Sequence, residues 1–332
     1  MSPVRVAVDA MGGDRAPEAI VAGARQAASD EVVPVLYGAA ERVRPLAGEL
    51  AVVDAPTVVE MDEKPADAAR EKRDSSLFAV CRAVADGQAD VALSAGNTGA
   101  MLAAALLEIG RLPGVQRPAI AVVVPARSGP SVLIDAGANA DARPEHLVQF
   151  AHMGSIFAEE LLNVAAPQVG LLSIGEEPEK GNRFTVEAHD LLARSPGLSF
   201  VGNVESRLLL ERPPDVVVCD GFVGNMALKM LEGTIRTTLE LLREEIVATP
   251  RGRLGGLLIR PAARRLRKRF DPEVHGGAFL LGLRGLVVIA HGNSTATATA
   301  NAIGLGVRGV EHRVVERLGA RLAPAVGAPA TT

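Results

Sequence analysis

Two cysteines, Cys81 and Cys219, cannot build a disulfide framework, so nothing here asks for an oxidising compartment. Met1 to Val8 lacks the basic and apolar regions of a signal peptide, and no apolar run approaches the roughly 20 residues that span a bilayer. The expectation is a cytoplasmic protein. Charge of one sign is also lacking: 35 basic against 39 acidic residues leave a net charge of −4, with no excess that would draw nucleic acid. Any basic surface must be local. There is no GxxxxGK(S/T) loop, no GxGxxG after the first strand, no HExxH and no CxxC, so the signatures of nucleotide hydrolysis, dinucleotide binding and zinc all fail. The six histidines show no ligand spacing, and neither a metal nor a cofactor is expected. Ser94 lacks the GxSxG context of a nucleophile, and Cys219 in DVVVC reads as a buried small hydrophobe.

What is present is a sizeable core: 48% apolar residues in 332 suffice for one large α/β domain or two close-packed ones. The chain is organised around Ala89 to Leu107, where an apolar run stops at Ser94, a Gly/Asn turn follows and a helix-forming run takes over. This is strand, tight turn, helix, and it delivers the free N–H groups of a new helix to the end of a buried strand. The same grammar recurs in runs ending at Asn139, Asn182, Asn203, Asn225 and Asn293. In an open parallel sheet such ends share one edge, so the expectation is one composite site assembled from many turns.

The first residues, VRVAVDAMGGD, give a strand broken at Gly12-Gly13; Pro17 to Ala28 reads as a helix, VPVLYG as a strand and Glu41 to Leu50 as a helix. This βαβα order predicts a mostly parallel, doubly wound sheet. Asp62 to Arg73 reads as a charged loop or short helix, with Ser75 as N-cap of the next helix. AIAVVVP and SVLIDAGAN are too close for an intervening helix and suit a hairpin; Pro144 to Leu162 and Arg183 to Ala193 read as helices. From Asn225 to Val247, apolar residues at three- and four-residue spacing predict a long amphipathic helix that wants a partner, which a homodimer would supply. Residues 226–272 are expected to form a helical protrusion from a domain spanning residues 1–321, with residues 322–332 as a disordered tail.

Two readings stand for Lys180 in GEEPEKGN: a solvated loop lysine, or a point charge for phosphate. Glu176 and Glu177 are acid/base groups or an exposed acidic loop. SAGNTGA and CDGFVGN are structural turns if taken singly, whereas several on one edge favour a phosphate-binding cleft.

The combination VAVDAMGGD with Ala16-Pro17-Glu18, KRDSSL, SAGNTGAM, DAGANADARPEHLVQFAHMGS, IGEEPEKGN, FVGNVE, CDGFVGN and AHGN resembles the PlsX family, the phosphate acyltransferases of bacterial phospholipid synthesis. It runs in order from Val4 to Ile303, with Arg15 in place of an aromatic and Asn293-Ser294-Thr295 in place of Ser-Ser-Asp. The resemblance implies an isocitrate/isopropylmalate dehydrogenase-like or phosphotransacetylase-like fold, usually a homodimer, without metal or nucleotide. It implies transfer of a fatty acyl group from acyl carrier protein to inorganic phosphate, giving acyl phosphate for a membrane glycerol-3-phosphate acyltransferase. By resemblance Lys180 and Asn225 lie closest to the chemistry, Asn97 and Asn182 donate to phosphate or carbonyl, and Asp9, Asp220 and His189 are further candidates. Gly12, Gly13, Ser94, Gly96, Thr98, Gly99, Asn139, Glu176, Gly181, Gly221 and Gly224 complete the expected substrate-binding set, with turn N–H groups at Ala95 to Thr98 and Gly221 to Asn225 as oxyanion donors. A metal- and NAD-dependent decarboxylating dehydrogenase of the related fold and a non-catalytic carrier-binding scaffold stay open as alternatives.

Arg251 to Phe270 carries eight basic residues and no acidic one. Leu254, Leu257, Leu258 and Ala262 share one helical face while Arg253, Arg260, Arg264 and Arg267 share the other, the pattern of a helix lying on an anionic membrane. Pro261 predicts a split into two short helices, Leu254 to Arg260 and Pro261 to Arg269. Docking of an acidic carrier protein and a plain solvated charge run are the rival readings.

Overall fold

The computed structural model describes residues 2–270 and 276–326. In chain order the elements are β1 (Val4–Asp9), α1 (Glu18–Ala27), β2 (Val32–Gly38), α2 (Ala40–Ala47), β3 (Ala51–Asp54), α3 (Pro65–Glu71), α4 (Ser76–Ala85) and β4 (Val91–Ser94). Then come α5 (Thr98–Ala104), running into a π-helical stretch at Ala105–Ile109, β5 (Ala119–Pro125), β6 (Pro130–Ile134), α6 (Pro144–Leu161), β7 (Gln168–Ser173) and α7 (Arg183–Ala193). The chain continues through β8 (Ser199–Glu205), β9 (Val216–Val218), α8 (Gly221–Val247), α9 (Pro250–Phe270), β10 (Ala278–Leu281), β11 (Leu286–Ile289), α10 (Ala296–Glu311) and α11 (Val314–Val326).

The strands form one eleven-stranded sheet in the order β3-β2-β1-β4-β11-β10-β5-β6-β9-β7-β8. Alternation places side chains on its two faces. Val6 and Val8 of β1, Val91 and Leu93 of β4 and Ile20 of α1 belong to the core on one face, which continues to Phe150 and Phe157 of α6. Ala7 and Ala92 meet Leu77, Phe78 and Met101 on the other. Central strands β4 and β11 are buried along their whole length, as expected where helices cover both sides.

Strand direction reverses three times across the middle of this sheet. β3, β2, β1, β4 and β11 are mutually parallel; β10 is antiparallel to β11 and β5; β5 and β6 form the expected hairpin. β6, β9, β7 and β8 are again mutually parallel, now opposite to the first set. The six Gly/Asn turns therefore do not share one sheet edge. They fall into two groups, one at the ends of β4 and β11, beside the Gly12-Gly13 turn after β1, and one at the ends of β6, β9 and β7, while Asn203 lies inside β8.

Other expectations change as well. α9 is a single helix through Pro261, which removes the N–H that would bond the Leu257 carbonyl; Leu257 is 64% exposed, so water can donate to that carbonyl instead. Leu322 is buried and α11 runs to Val326, so the expected tail begins too early; residues 327–332, with 271 and 272 of the protrusion, lie outside the described residues. β3 and β10 have no counterpart in the sequence reading. β3 is a largely exposed edge strand of four residues, and β10 is held between β11, its hairpin partner, and β5, which is distant in sequence.

Candidate functional site

At the first group of turns the side chains face inward. Asp9 at the end of β1 is buried, accepts from the Ser94 hydroxyl at 2.7 Å and from the Met11 N–H at 3.1 Å, and burial pushes its carboxyl up. Ser94 Oγ in turn accepts from the Gly96 N–H at 3.0 Å. A Cβ on Gly12 would sit 2.5 Å from Asp9 Oδ2 and 2.8 Å from the Gly96 nitrogen, so only glycine permits this approach. Ser75 begins α4 as expected, but its buried Oγ has no partner, beside the Ser76 that does bond Asp9.

Asn97 caps α5 through Oδ1 to the Ala100 N–H, while its Nδ2 donates to the carbonyls of Met61 at 3.0 Å and Glu63 at 2.8 Å. The expected role of Asn97 as a substrate donor gives way to a structural one. Thr98 is exposed beside it, with Gly13 and Gly99 part-buried.

The second group is built on Asp135, which the sequence reading passed over. Its carboxylate accepts from Ile120, Gly137, Ala138 and Asn139 N–H groups and from Asn139 Nδ2. Burial pushes this carboxyl up against those five donors. The Asp directly after an apolar strand and before AGAN was the available signal. Asn139 Nδ2 also donates to the Pro118 carbonyl at 2.7 Å, so this asparagine is spent on the fold. α8 begins pressed onto that loop: a Cβ on Gly221 would lie 2.6 Å from the Asn139 nitrogen and one on Gly224 2.0 Å from the Asp135 carbonyl oxygen.

The N–H groups expected to bind an oxyanion here are occupied. Gly221 donates to Asn139 O, Phe222 and Val223 to the Asp220 carboxylate at 2.9 Å each, and Gly224 to Asp220 O. Asp220 acts as an N-cap, and its charge satisfies the helix end from within the protein. One turn further on, the exposed Asn225 approaches Gly137, and its side-chain amide has no partner among the described residues.

β7 lies beside β9 with Leu171 opposite Val218, so the loop after β7 leaves the sheet next to Asp220. Lys180 is exposed there, and its ammonium has no ion-pair partner among the described residues. Asn182 caps α7 by accepting from the Thr185 N–H and hydroxyl, which spends its carbonyl oxygen. His189 Nδ1 lies 3.1 Å from Asn203 Oδ1, and Asn203 Nδ2 donates to the Glu177 carbonyl at 2.7 Å. His189 therefore braces the Lys180 loop. Glu176 pairs with Arg207 at 3.4 Å on the surface, and Gly181, with φ +119°, leads into the α7 cap.

α8 connects the groups. It starts at Asp220 and, about 16 Å along its axis, Glu232 Oε1 meets His291 Nε2, just past β11, at 3.0 Å. On the neighbouring α9, Leu254, Leu257 and Leu258 are 65%, 64% and 78% exposed. Arg260 and Arg264 are exposed with no acidic partner among the described residues, and the Arg267 side chain lies outside them. Among the described residues no three His, Cys, Asp or Glu side chains cluster as a metal-ligand set, and no helix is long and apolar enough to cross a membrane.

Comparison with known proteins adds the family. Residues 4–317 match the family model described as "Fatty acid synthesis protein". A phosphate acyltransferase of Desulfitobacterium hafniense is 46% identical over 95% of this chain and 96% of its own, and one of Thermosynechococcus vestitus is 46% identical over 96% and 95%. Among solved structures, a phosphotransacetylase from Streptococcus pyogenes superposes with a TM-score of 0.62 at 17% identity, covering 93% of this chain and 94% of its own. A branched-chain phosphotransacylase from Enterococcus faecalis gives 0.56 at 15%, covering 92% and 99%; both likenesses concern the fold alone. Full-length identity at this level, on a sheet of the phosphotransacetylase type, makes the chain a member of the phosphate acyltransferase family and a transferase.

Proposed function

We propose that the protein transfers a fatty acyl group from the thioester of acyl carrier protein to inorganic phosphate, supplying acyl phosphate to a membrane enzyme that acylates glycerol 3-phosphate. One observation carries this reading: among the described residues Lys180 and Asn225 keep an unpaired ammonium and a free amide at the ends of neighbouring strands, where the other polar groups are largely spent on the fold. A cation and a neutral donor suit a reaction whose nucleophile and developing charge are both oxyanions.

Phosphate near neutral pH is already a nucleophile, and thiolate is a good leaving group. A phosphate oxygen attacks the thioester carbonyl, the tetrahedral oxyanion forms, the acyl–sulfur bond breaks, and the carrier leaves as thiolate. Lys180 holds the phosphate and Asn225 donates to the carbonyl oxygen as it gains charge. No acyl-enzyme is needed. Cys219 suits none, since burial, then Asp135 and Asp220, push its thiol up.

The exposed Met226, Met230, Leu241 and Leu242 on α8 support a homodimer, and the leucines of α9 support reversible contact with an anionic membrane. The purified protein incubated with long-chain acyl carrier protein and radiolabelled phosphate should form acyl phosphate. Carrier binding without turnover would point to a scaffold, and a metal-dependent change in NAD absorbance to a dehydrogenase.

A further inference from the structure

A cavity of about 720 Å³ opens beside the start of β5, lined by Leu106, Arg111, Val115, Arg117, Arg143 and His146. That size is typical of small-molecule sites, roughly 300–1,000 Å³. None of its three arginines has an acidic ion-pair partner among the described residues. The polar side chains that line it offer donors.

A histidine holds one of these arginines in place. The Arg143 backbone N–H donates to His146 Nδ1 at 3.1 Å and the Arg143 guanidinium lies 3.4 Å from Nε2, so the buried ring fixes Arg143 at the pocket wall. His146 is 3% exposed, and burial together with the charges of Arg143 and Arg117 keeps its pKa below the ordinary value, against the opposing charge of Glu145.

The pocket wall is held in advance of any ligand. Buried Gln149 spends both ends of its amide on it, donating to the Gly114 carbonyl at 3.0 Å and accepting from the Gln116 N–H at 2.9 Å. Arg111 bonds the Gln116 carbonyl with its guanidinium, and Arg284 Nε donates to the Arg111 carbonyl at 3.1 Å. Leu106, from the π-helical stretch, and Val115 supply an apolar wall. A loop fixed by a buried side chain, carrying unpaired arginines around a concavity, is a preorganised anion site.

We propose that this pocket is a second anion site, distinct from the Lys180 and Asn225 turns, that holds a phosphate group carried on an organic arm. Guanidinium forks match phosphate oxygens in pairs, three of them suit more than one negative charge, and the apolar wall takes the arm. The phosphate belongs either to a free phosphorylated metabolite or to the prosthetic arm of the acyl carrier. The second source rests on the carrier reading above, and the binding test does not. Asn139 links the sites, donating to Pro118 of the pocket and accepting from Gly221 of α8.

The test is titration of the whole protein with pyrophosphate, read by calorimetry and by the ring resonances of His146. Wild type should bind and shift His146. Arg117→Ala with Arg143→Ala should weaken the binding that shifts His146 about tenfold or more, and Lys180→Ala should leave the His146 shift and its midpoint unchanged. Arg117→Glu alone, at an exposed position, should show the same loss should the double variant fold poorly. Pyrophosphate that leaves His146 unperturbed in the wild type, or binds both arginine variants as tightly, overturns the proposal. Given the loss, a raised KM for acyl carrier at constant kcat assigns the phosphate to the carrier's arm, and an unchanged KM assigns it to a free metabolite.

Discussion

His291 Nε2 lies 3.0 Å from Glu232 Oε1, and this contact ties a turn of one sheet half to the helix that starts at the end of the other. Burial opposes ionisation of Glu232, but the bond to His291, its charge and Lys229 outweigh that and hold the carboxyl below its usual range. A depressed carboxyl contributes stability that is present above its unfolded pKa and lost as pH falls through the folded one. Glu232→Gln should therefore lower stability by about 0.5–1 kcal/mol at pH 7, discounted because His291 is 42% exposed. Urea midpoints at pH 7 and at pH 4 or below measure this, and the gap between wild type and variant should close at the lower pH. A gap independent of pH would mean that the pair contributes no charge interaction.

Removal of the Lys180 ammonium tests the chemistry. If it holds phosphate or the oxyanion, Lys180→Ala should cost about 2.7–4 kcal/mol of transition-state stabilisation, or 10²–10³-fold in kcat, by analogy with loss of an oxyanion-hole donor. The side chain is exposed and unpaired, so the thermal midpoint should not move. Near-normal turnover would return Lys180 to the status of a solvated loop lysine.

Gly224 is predicted to be intolerant. A methyl group there meets the Asp135 carbonyl oxygen at 2.0 Å and Cys219 Sγ at 2.8 Å, so Gly224→Ala must push α8 away from the Asp135 loop. Overpacking of this kind costs about 1–3 kcal/mol, and because Asn225 follows directly, activity should fall with stability. A fully active, equally stable variant would show that the start of α8 does not position Asn225.

The strands were legible because each is an apolar run stopped by Gly or Asn, a signal confined to a few consecutive residues. Their directions were not. The four residues between Pro125 and Pro130 turn β5 back as β6, and β10, which forms a short hairpin with β11, takes its place through pairing with β5 at Ala121, far from it in sequence. The turns of the candidate site were legible for the same local reason, but not the use of their polar groups. Asn97 and Asn139 look like Asn225 in sequence; only folding shows that two of them bond main-chain carbonyls and one stays free. Arg111, Arg117 and Arg143 share no period, so the pocket that gathers them has no sequence signature.

Cys219→Ala should keep activity. The thiol is buried with its sulfur 3.6 Å from the Ile134 and Asp135 carbonyl oxygens, and its raised pKa leaves almost no thiolate at neutral pH. The native protein should accordingly resist alkylation at this position. A trapped acyl-enzyme on Cys219 would end the direct-attack mechanism.

The last prediction concerns α9. Gly252 and Gly256 let this helix close onto Ile246 of α8, and Arg269 anchors its far end by donating to the carbonyls of Ala126 at 3.1 Å and Arg127 at 2.9 Å. The helix is thus held at both ends while Leu254, Leu257 and Leu258 face solvent, an arrangement that exposes apolar area without risking the fold. Basic residues near an anionic surface contribute about 1 kcal/mol each, so a few of those on α9 suffice for salt-sensitive attachment, with the leucines adding depth. Leu254→Glu with Leu258→Glu should abolish sedimentation with anionic liposomes and leave turnover of soluble acyl carrier protein intact. Undiminished sedimentation would exclude α9 as the membrane contact, whereas a raised KM for the carrier would assign the same basic face to carrier docking.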